Sequence, residues 1–413
     1  MLDVRASLVK RASTALGRGL TIAMRFSAVR TQGYIEGPGV SPGTERQVLD
    51  YPTQQHTLFP LLALAYALHF SGSHMARAYH SYLETQDATA LPDLHATSSG
   101  LKALVTQANG IEALRKMCGG HGFSQFSGLP EVSSNYLALA TLEGTQQVLE
   151  PQTARHLIRA FMAGMKGKHL TGSVAYLSKP SNSLSLACGA DLRDPGKQLC
   201  LFQKRALAAV EAATEAVTGV GGGAEAGIEE GGGGGKEAMV RAGVELGRAA
   251  RAHCQLHLLV QFSAGVERAE MASKPKGGFG PGAGRGARPG TGEGLNCREL
   301  SVLGKLRDLF ALSTIEKNMG DFLEFGVLER STAPLLRREV GKLCLEIRPE
   351  AVTLVDAWHF TDKYLGSVLG RNDGQIYTAM MEAALAEPLN ESDVVPSVAH
   401  VRKLIGVCPN PRL

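Results

Sequence analysis

The segment from Cys118 to Leu157 reads CGGHGFSQFSGLPEVSSNYLALATLEGTQQVLEPQTARHL. It begins with a loop that contains Gly119, Gly120 and Gly122, and it continues to a Leu-Glu-Gly turn that ends at Gly144. Because glycine has no side chain, a flat or phosphorylated ligand can approach the backbone amides of such a loop closely. Glycines in loops also serve simply to make turns. The pattern therefore predicts either a structural turn or a ligand site.

The carboxylate of Glu143 immediately precedes Gly144. The apolar residues near it in the sequence are Leu137, Leu139, Leu142 and Val148. Burial among them would favour the neutral carboxyl, as a general base for a weak carbon acid requires. The alternative is a glutamate at a helix N-terminus that interacts with the helix dipole. Thr145 and Gln147 beside it could either contact a cofactor or cap the following helix.

The sequence on both sides of this segment is typical of helices. Apolar residues recur at helical spacing in residues 1–32, and a loop rich in glycine and proline follows over 33–43. A second helix is predicted from about Thr53 to Glu84, broken near Pro60, and a third from about Leu101 to Met117. Since no stretch shows several alternating strands in succession, we predict an all-α fold made of helical bundles.

The length of 413 residues predicts two domains. The predicted parts are a helical domain over 1–170 that carries Glu143, a linker over 171–200, a second helical domain over 201–405 and a tail over 406–413. Two low-complexity stretches, 219–235 and 274–294, are predicted to be disordered surface insertions because they cannot bury enough apolar surface. For the arginine- and glycine-rich second insertion, a nucleic-acid tether is the alternative.

Composition argues against several classes of protein. The chain has 43 lysines and arginines against 39 acidic residues, without a dense basic patch interleaved with aromatics, so we expect no nucleic-acid partner. Its seven cysteines form no CxxC pair, which predicts a reducing compartment and no metal site. The longest apolar stretch, 58–70, contains a proline and falls short of the roughly 20 residues of a membrane span.

Both ends of the chain resemble targeting signals. The first thirty residues are rich in lysine and arginine and contain one acid, Asp3, which resembles an organelle transit peptide. A basic helix that faces phosphates is the alternative, and the resemblance described next favours it. The last residues, Pro411-Arg412-Leu413, have the small-basic-leucine pattern of the peroxisomal S-K-L signal.

The motifs CGGHGFS, SGLP, LEG and QTAR within Cys118–Leu157 resemble the peroxisomal acyl-CoA oxidase family. Three further segments, Gly19–Arg30, Leu49–Leu62 and Leu354–Gly374, resemble other blocks of that family in the same order, and Pro388-Leu389-Asn390 follows the last of them. The resemblance covers nearly the whole chain apart from the two glycine-rich insertions. It implies an acyl-CoA dehydrogenase-like helical domain followed by a second helical domain.

The resemblance also implies roles for individual residues. The family's catalytic base, the glutamate of the Glu-Gly turn, falls on Glu143. The implied FAD contacts fall on Arg30, on Gln54 or Gln55, and on Gly119, Gly120, Gly144, Thr145 and Gln147. The last two follow from the Glu-Gly-Thr-x-Gln pattern of the related acyl-CoA dehydrogenases. The family further implies a homodimer in which each FAD is shared between two subunits.

The implied activity is FAD-dependent oxidation of a fatty acyl-CoA to the trans-2-enoyl-CoA, with oxygen reduced to hydrogen peroxide. This is the first step of peroxisomal fatty acid β-oxidation, and an import receptor would read Pro411-Arg412-Leu413. One alternative is an acyl-CoA dehydrogenase that passes electrons to a protein acceptor. Another is a truncated, non-catalytic chain that pairs with a full-length partner.

The sequence departs from the family in three respects. The family's N-terminal helical domain and central β-domain have no counterpart, so we expect the isolated chain to be inactive. Phe123 stands where the family often has tyrosine. Pro151 follows Glu143 closely and would cost about 3 kcal/mol deep in a helix. It would cost little if that helix began near Glu150.

Overall fold

The computed structural model describes residues 2–107, 110–178, 186, 188–219, 233–273, 295–392 and 397–406. Almost all regular structure in these ranges is helical, which confirms the predicted all-α fold. The only strands in the described ranges are β1 (Thr31–Tyr34) and β2 (Glu45–Gln47), which pair antiparallel. They flank the glycine- and proline-rich turn where a loop alone was predicted.

The helices of the first half are α1 (Leu2–Val29), α2 (Pro52–Thr85), α3 (Leu91–Gln107), α4 (Gly110–Met117), α5 (Gly119–Phe123), α6 (Leu129–Leu137), α7 (Gln146–Met165), α8 (Gly189–Arg193) and α9 (Pro195–Thr218). Those of the second half are α10 (Gly233–Arg241), α11 (Gly243–Ser273), α12 (Cys297–Lys317), α13 (Met319–Glu324), α14 (Thr332–Ile347), α15 (Ala351–Asp356), α16 (Asp362–Leu365), α17 (Ile376–Ala386) and α18 (Ser397–Leu404). Short 3-10 helices include Ala138–Ala140 and Gly172–Ser178.

Helix α1 lies at the centre of the first half and contacts α2, α3, α4, α6 and α15. Small residues allow this close packing. A Cβ atom at Gly72 of α2 would lie 2.8 Å from the Cα atom of Lys10, and one at Gly17 would lie 2.8 Å from the ring of Trp358. The two long helices α1 and α2 therefore pack with their backbones nearly in contact.

The predicted break of α2 near Pro60 is wrong, since the helix continues from Pro52 to Thr85. Proline removes one backbone hydrogen bond. Here Leu58, Phe59 and Leu61 around it are buried in the core, so tertiary packing holds the helix across the missing bond. The predicted third helix was also wrong in its bounds, because α3 begins at Leu91 and α4 follows as a separate helix.

In the second half, α11 packs against α9 and α12 and also contacts α2 and α7 of the first half. The buried apolar side chains of both halves form one continuous cluster. Helix α9 begins within the predicted 171–200 linker, because Asp194 caps it by accepting a hydrogen bond of 2.8 Å from the backbone of Lys197. The division into domains at this linker stays a prediction.

The low-complexity residues 220–232 and 274–294 and the tail 407–413 lie outside the described residues, so the structure does not test the predictions made for them. The end of the first predicted insertion, 233–235, belongs to α10. Within the described part of the chain, no helix is both long enough and apolar enough to cross a membrane.

Candidate functional site

A tight turn between α6 and α7 carries Glu143. The backbone of Glu143 has φ +60°, in the left-handed region, and Gly144 follows at φ +109°. The left-handed conformation costs a residue with a Cβ atom about 1–2 kcal/mol. Such a conformation persists only where the surrounding structure holds it, and it is most common at functional sites. The geometry of this turn therefore requires other parts of the fold to hold it.

Two buried cations bind the carbonyl oxygens of this turn. Arg5 of α1 donates from Nη2 and Nε to the carbonyl of Glu143, at 3.0 and 3.3 Å. Lys102 of α3 donates from Nζ to the carbonyl of Ala140, at 3.1 Å, and to that of Gly144. The sequence analysis missed both cations. The available signal was that Lys102 stands alone among small and apolar residues in the second half of α3.

The carboxylate of Glu143 is half-buried. Its Oε2 atom is enclosed and has no hydrogen-bond partner among the described residues. The expected burial among apolar neighbours was only partly right, because Leu137, Leu142 and Val148 are each about half exposed. The turn lies at the surface, so these side chains face outward. The apolar surroundings of Glu143 are therefore open on one side within this chain.

Thr145 and Gln147 lie directly beyond the turn. Thr145 is the residue before α7, but its side chain makes no capping hydrogen bond, so the capping alternative is wrong for this residue. Gln147 is exposed on the first turn of α7. Helix α7 begins at Gln146, which places Pro151 in the second turn and excludes a late start near residue 150.

A second group of predicted residues lines a pocket of about 520 Å³. Arg30, Gly119 and Gly120 lie in its wall together with Lys116. Gly119 has φ +58°, and a Cβ atom at either glycine would meet nothing within 4 Å. The space above the backbone of the two glycines, called the open floor of the pocket, is therefore empty and lies beside two cations. This arrangement suits a phosphorylated ligand. The glycine-rich stretch predicted as a loop forms the short helix α5.

The two candidate glutamines differ in their contacts. Gln54 donates from Nε2 to Ser27, at 2.9 Å, and to the carbonyl of Met117, at 3.0 Å. Gln55 donates from Nε2 to the carbonyl of Leu49, at 3.0 Å. Because Met117 lines the pocket, Gln54 supports the pocket wall from behind. Arg30 donates to the hydroxyl of Tyr377 at 3.1 Å, and this hydrogen bond raises the pKa of Arg30.

The two groups of residues lie at opposite ends of α1. Arg5 binds the Glu143 turn near the start of α1, whereas Arg30 lines the glycine pocket just beyond its end. At about 1.5 Å per residue, the two places are roughly 35–40 Å apart. Within one chain, the residues of each group lie close together, but the two groups lie far apart.

A further cavity of about 650 Å³ lies between α2, α3 and α11. It is lined in part by His74, Asp93, Tyr176, His253 and His257. Burial lowers the pKa of His253 to about 4 and that of His257 to about 3. Within the described ranges, no three His, Cys, Asp or Glu side chains are grouped so that they could hold a metal ion.

The fold places the chain among the all-helical bundle proteins, and comparison with known proteins defines its family. The family described as "Acyl-CoA oxidase, C-alpha1 domain" matches residues 1–158, and the one described as "Acyl-CoA oxidase" matches residues 208–405. Together these matches cover most of the chain. The chain belongs to the acyl-CoA oxidase family, as its sequence motifs predicted.

Individual relatives agree with this assignment. The chain is 39% identical over 406 residues to a putative peroxisomal acyl-coenzyme A oxidase 1.2 of Arabidopsis thaliana, covering 96% of the chain and 55% of the relative. It is 35% identical over 428 residues to peroxisomal acyl-coenzyme A oxidase 1 of Homo sapiens, covering 98% of this chain and 57% of the relative. The chain thus spans about half the length of the curated relatives it matches.

Solved structures show the same similarity. Acyl-CoA oxidase 1 of Arabidopsis thaliana superposes with a TM-score of 0.81 at 34% identity, covering 98% of this chain and 57% of that one. Acyl-CoA oxidase-1 of Caenorhabditis elegans, solved as a complex with FAD and ATP, gives a TM-score of 0.83 at 31% identity, covering 98% and 57%.

Proposed function

We propose that this chain supplies the helical, FAD-contacting part of an acyl-CoA oxidase, with Glu143 as the base that removes the α-proton of a fatty acyl-CoA. The observation that carries the proposal is the conformation of Glu143. Its backbone is held in the left-handed region by two buried cations, and its Oε2 atom is enclosed without a hydrogen-bond partner. An unpaired carboxylate oxygen is free to accept a proton.

The glycine pocket fits the pyrophosphate of FAD. Arg30 and Lys116 supply positive charge, and the open floor at Gly119 and Gly120 allows phosphate oxygens to reach the backbone amides. Gln54 holds the pocket wall through Ser27 and Met117. Near the other end of α1, Gly144, Thr145 and Gln147 would lie beside the flavin ring. Acyl-CoA oxidase-1 of Caenorhabditis elegans has been solved with FAD, which supports this choice of cofactor.

In the proposed reaction, Glu143 accepts the α-proton at Oε2 while the thioester carbonyl stabilises the developing negative charge. FAD, when bound, would supply the redox chemistry as the acceptor of the hydride from the β-carbon. The two electrons and the hydrogen of that hydride, together with the proton taken up by Glu143, would convert oxygen to hydrogen peroxide. Arg5 and Lys102 bind the carbonyl oxygens of the turn that carries this base.

The separation of the two groups supports a homodimer that shares each FAD. Because they lie roughly 35–40 Å apart on one chain, a single flavin would have to meet the Glu143 turn of one copy and the glycine pocket of another. The names of the relatives support a peroxisomal location, which would require import through Pro411-Arg412-Leu413. The match of residues 208–405 favours an oxidase over a dehydrogenase.

A non-catalytic chain that pairs with a full-length partner is the second candidate. It is favoured by the open apolar surface beside Glu143. In this case the partner would supply the missing wall around the carboxylate.

The experiment that separates these candidates is to mix the purified chain with FAD, remove free flavin by gel filtration, and assay hydrogen peroxide with a saturated fatty acyl-CoA. Under the first candidate, the chain retains flavin absorbance and forms peroxide, in contrast to the inactive chain that the sequence predicted. Glu143→Gln should keep the flavin and lose about 100-fold or more of the rate. Glu131→Gln, at an exposed position on α6, serves as the control and should keep both. A wild-type chain that retains no flavin would exclude the enzyme and favour the second candidate.

A further inference from the structure

We propose that Lys102 is a positioning residue for the reaction, because it holds the Glu143 turn in its left-handed conformation through the carbonyl oxygens on either side of it. The inference rests on the proposed role of Glu143 as the base. Lys102 itself belongs to α3 and is far from Glu143 in the sequence, so only the fold brings the two together.

The first argument is the burial of Lys102. Its side chain is 0% exposed. Removing an ammonium group from water is costly unless strong partners replace the solvent. In the described part of the chain no carboxylate lies within ion-pair distance of Nζ, and its two named partners are the carbonyls of Ala140 and Gly144. Because the charge of this buried lysine is directed to backbone carbonyls, we infer that Lys102 fixes the backbone of the turn.

The second argument is that the carbonyl groups of the turn need the hydrogen bonds that Lys102 donates. The chain leaves the 3-10 helix at Ala140 and does not enter α7 until Gln146. The carbonyl of Ala140 ends a helix and that of Gly144 lies in the connecting turn, so both need partners outside a helix. Lys102 binds the carbonyl before the turn and the one after Glu143, while Arg5 binds the carbonyl of Glu143 itself. Two cations thus hold three carbonyls around one strained residue.

The third argument is electrostatic. Burial lowers the pKa of Lys102, and the charge of Arg5 lowers it further, whereas the charge of Glu143 raises it. The ammonium group therefore interacts with the carboxylate as well as with the turn. Losing Lys102 would free the backbone carbonyls and also remove a positive charge that interacts with Glu143. Both effects act on the position of the carboxylate, and neither requires Lys102 to touch the substrate.

The test compares Lys102→Met, which keeps an unbranched side chain but removes the charge and the donors, with Lys102→Arg, which keeps both. In Lys102→Met we expect the amides of residues 141–145 to exchange hydrogen about tenfold faster, with the rest of the chain unchanged. In the flavin-loaded protein we expect kcat to fall about 100-fold at unchanged KM and flavin content. Lys102→Arg should recover most of both losses. Lys102→Gln, which keeps one donor, replaces the Met variant if that variant does not fold.

Lys204→Met is the matched control, because it removes a half-buried lysine from α9 and should change neither measurement. The inference is overturned if Lys102→Met exchanges like the wild type at 141–145, or if the Arg variant is as impaired as the Met variant. The failure of the proposed function looks different. In that case the wild-type chain shows no turnover, while the exchange rates of the Met and Arg variants still decide whether Lys102 holds the turn.

Discussion

The guanidinium group of Arg25 binds the carboxylate of Asp356, with Nη2 2.7 Å and Nε 3.0 Å from Oδ1. Arg25 also donates to the carbonyl of Gly370 at 2.6 Å. Arg25 is buried near the end of α1, and Asp356 ends α15, so the pair joins two segments separated by most of the chain. Both segments were among those whose sequence resembles the acyl-CoA oxidases.

This ion pair leads to a prediction about stability. Asp356→Asn leaves the buried Arg25 with a weaker partner, so we expect the free energy of unfolding to fall by about 1–3 kcal/mol. Urea denaturation at neutral pH measures this change. Glu237→Gln, which breaks the exposed pair of Glu237 with Arg241, should leave the midpoint unchanged. A midpoint for Asp356→Asn equal to that of the wild type would contradict the prediction.

The glycine pocket leads to a second prediction. A Cβ atom at Gly120 would meet nothing within 4 Å, whereas one at Gly122 would lie 2.1 Å from the carbonyl oxygen of Arg115. Gly120→Ala should therefore keep the thermal stability of the wild type but weaken FAD binding about tenfold or more, because the methyl group occupies the open floor. Gly122→Ala should lower the melting temperature. Fluorescence titration with FAD and a thermal scan separate the two effects. Unchanged FAD affinity in Gly120→Ala would remove this pocket from the flavin site.

The buried histidines lead to a prediction about acid. Because burial lowers the pKa of His253 and His257 below their ordinary 6.5, the unfolded chain binds protons that the folded chain does not. Their contribution to stability is therefore present above pH 6.5 and is lost as the pH falls towards 4 and 3. In that window, each histidine should lower the free energy of unfolding by about 1.4 kcal/mol for every unit by which the pH falls. Denaturation at pH 7, 6 and 5 measures the slope.

The control for this prediction uses a second histidine. His257→Leu removes one buried titrating group, so its stability should depend less steeply on pH. His80→Leu, at an exposed position on α2, should keep the slope of the wild type. Equal slopes for the two variants would show that His257 does not titrate as its burial implies.

Pro151 leads to a fourth prediction. Helix α7 starts at Gln146, so Pro151 lies beyond the first turn and removes a hydrogen bond to the carbonyl of Gln147. Pro151→Ala should restore this bond and raise the free energy of unfolding by about 1–3 kcal/mol. Urea denaturation measures the gain. A loss of stability would mean that the rigidity of proline in the unfolded chain matters more than the missing bond.

Several features could be predicted from the sequence because they depend on local patterns. Helical periodicity identified the all-α fold, and the motifs around Gly119 and Glu143 identified the family. The start of α9 could also have been predicted, because Asp194 and Pro195 form a normal helix start. The predicted linker nevertheless extended beyond it, to residue 200. The break predicted at Pro60 was wrong because the packing around this residue, which no local pattern reveals, offsets the cost of proline.

Other features depend on contacts between distant residues and could not be predicted. Lys102 looks like an ordinary helical lysine until the fold buries it beneath the Glu143 turn. The left-handed backbone of Glu143 was not expected for a residue with a Cβ atom. Glu143 and the glycines of the pocket belong to one stretch of sequence, but they lie near opposite ends of the long helix α1. Their separation therefore follows from the length of α1.

The most direct test of the central claim is the transfer of the α-proton to Glu143. The flavin-loaded chain is mixed with an acyl-CoA that is deuterated at the α-carbon and has sulfur in place of the β-carbon, so that no hydride can leave. Loss of deuterium to the solvent, followed by mass spectrometry, then reports proton removal alone. We predict exchange with the wild-type chain and at least about 100-fold slower exchange with Glu143→Gln. Equal exchange by the two proteins would contradict the assignment of Glu143 as the base.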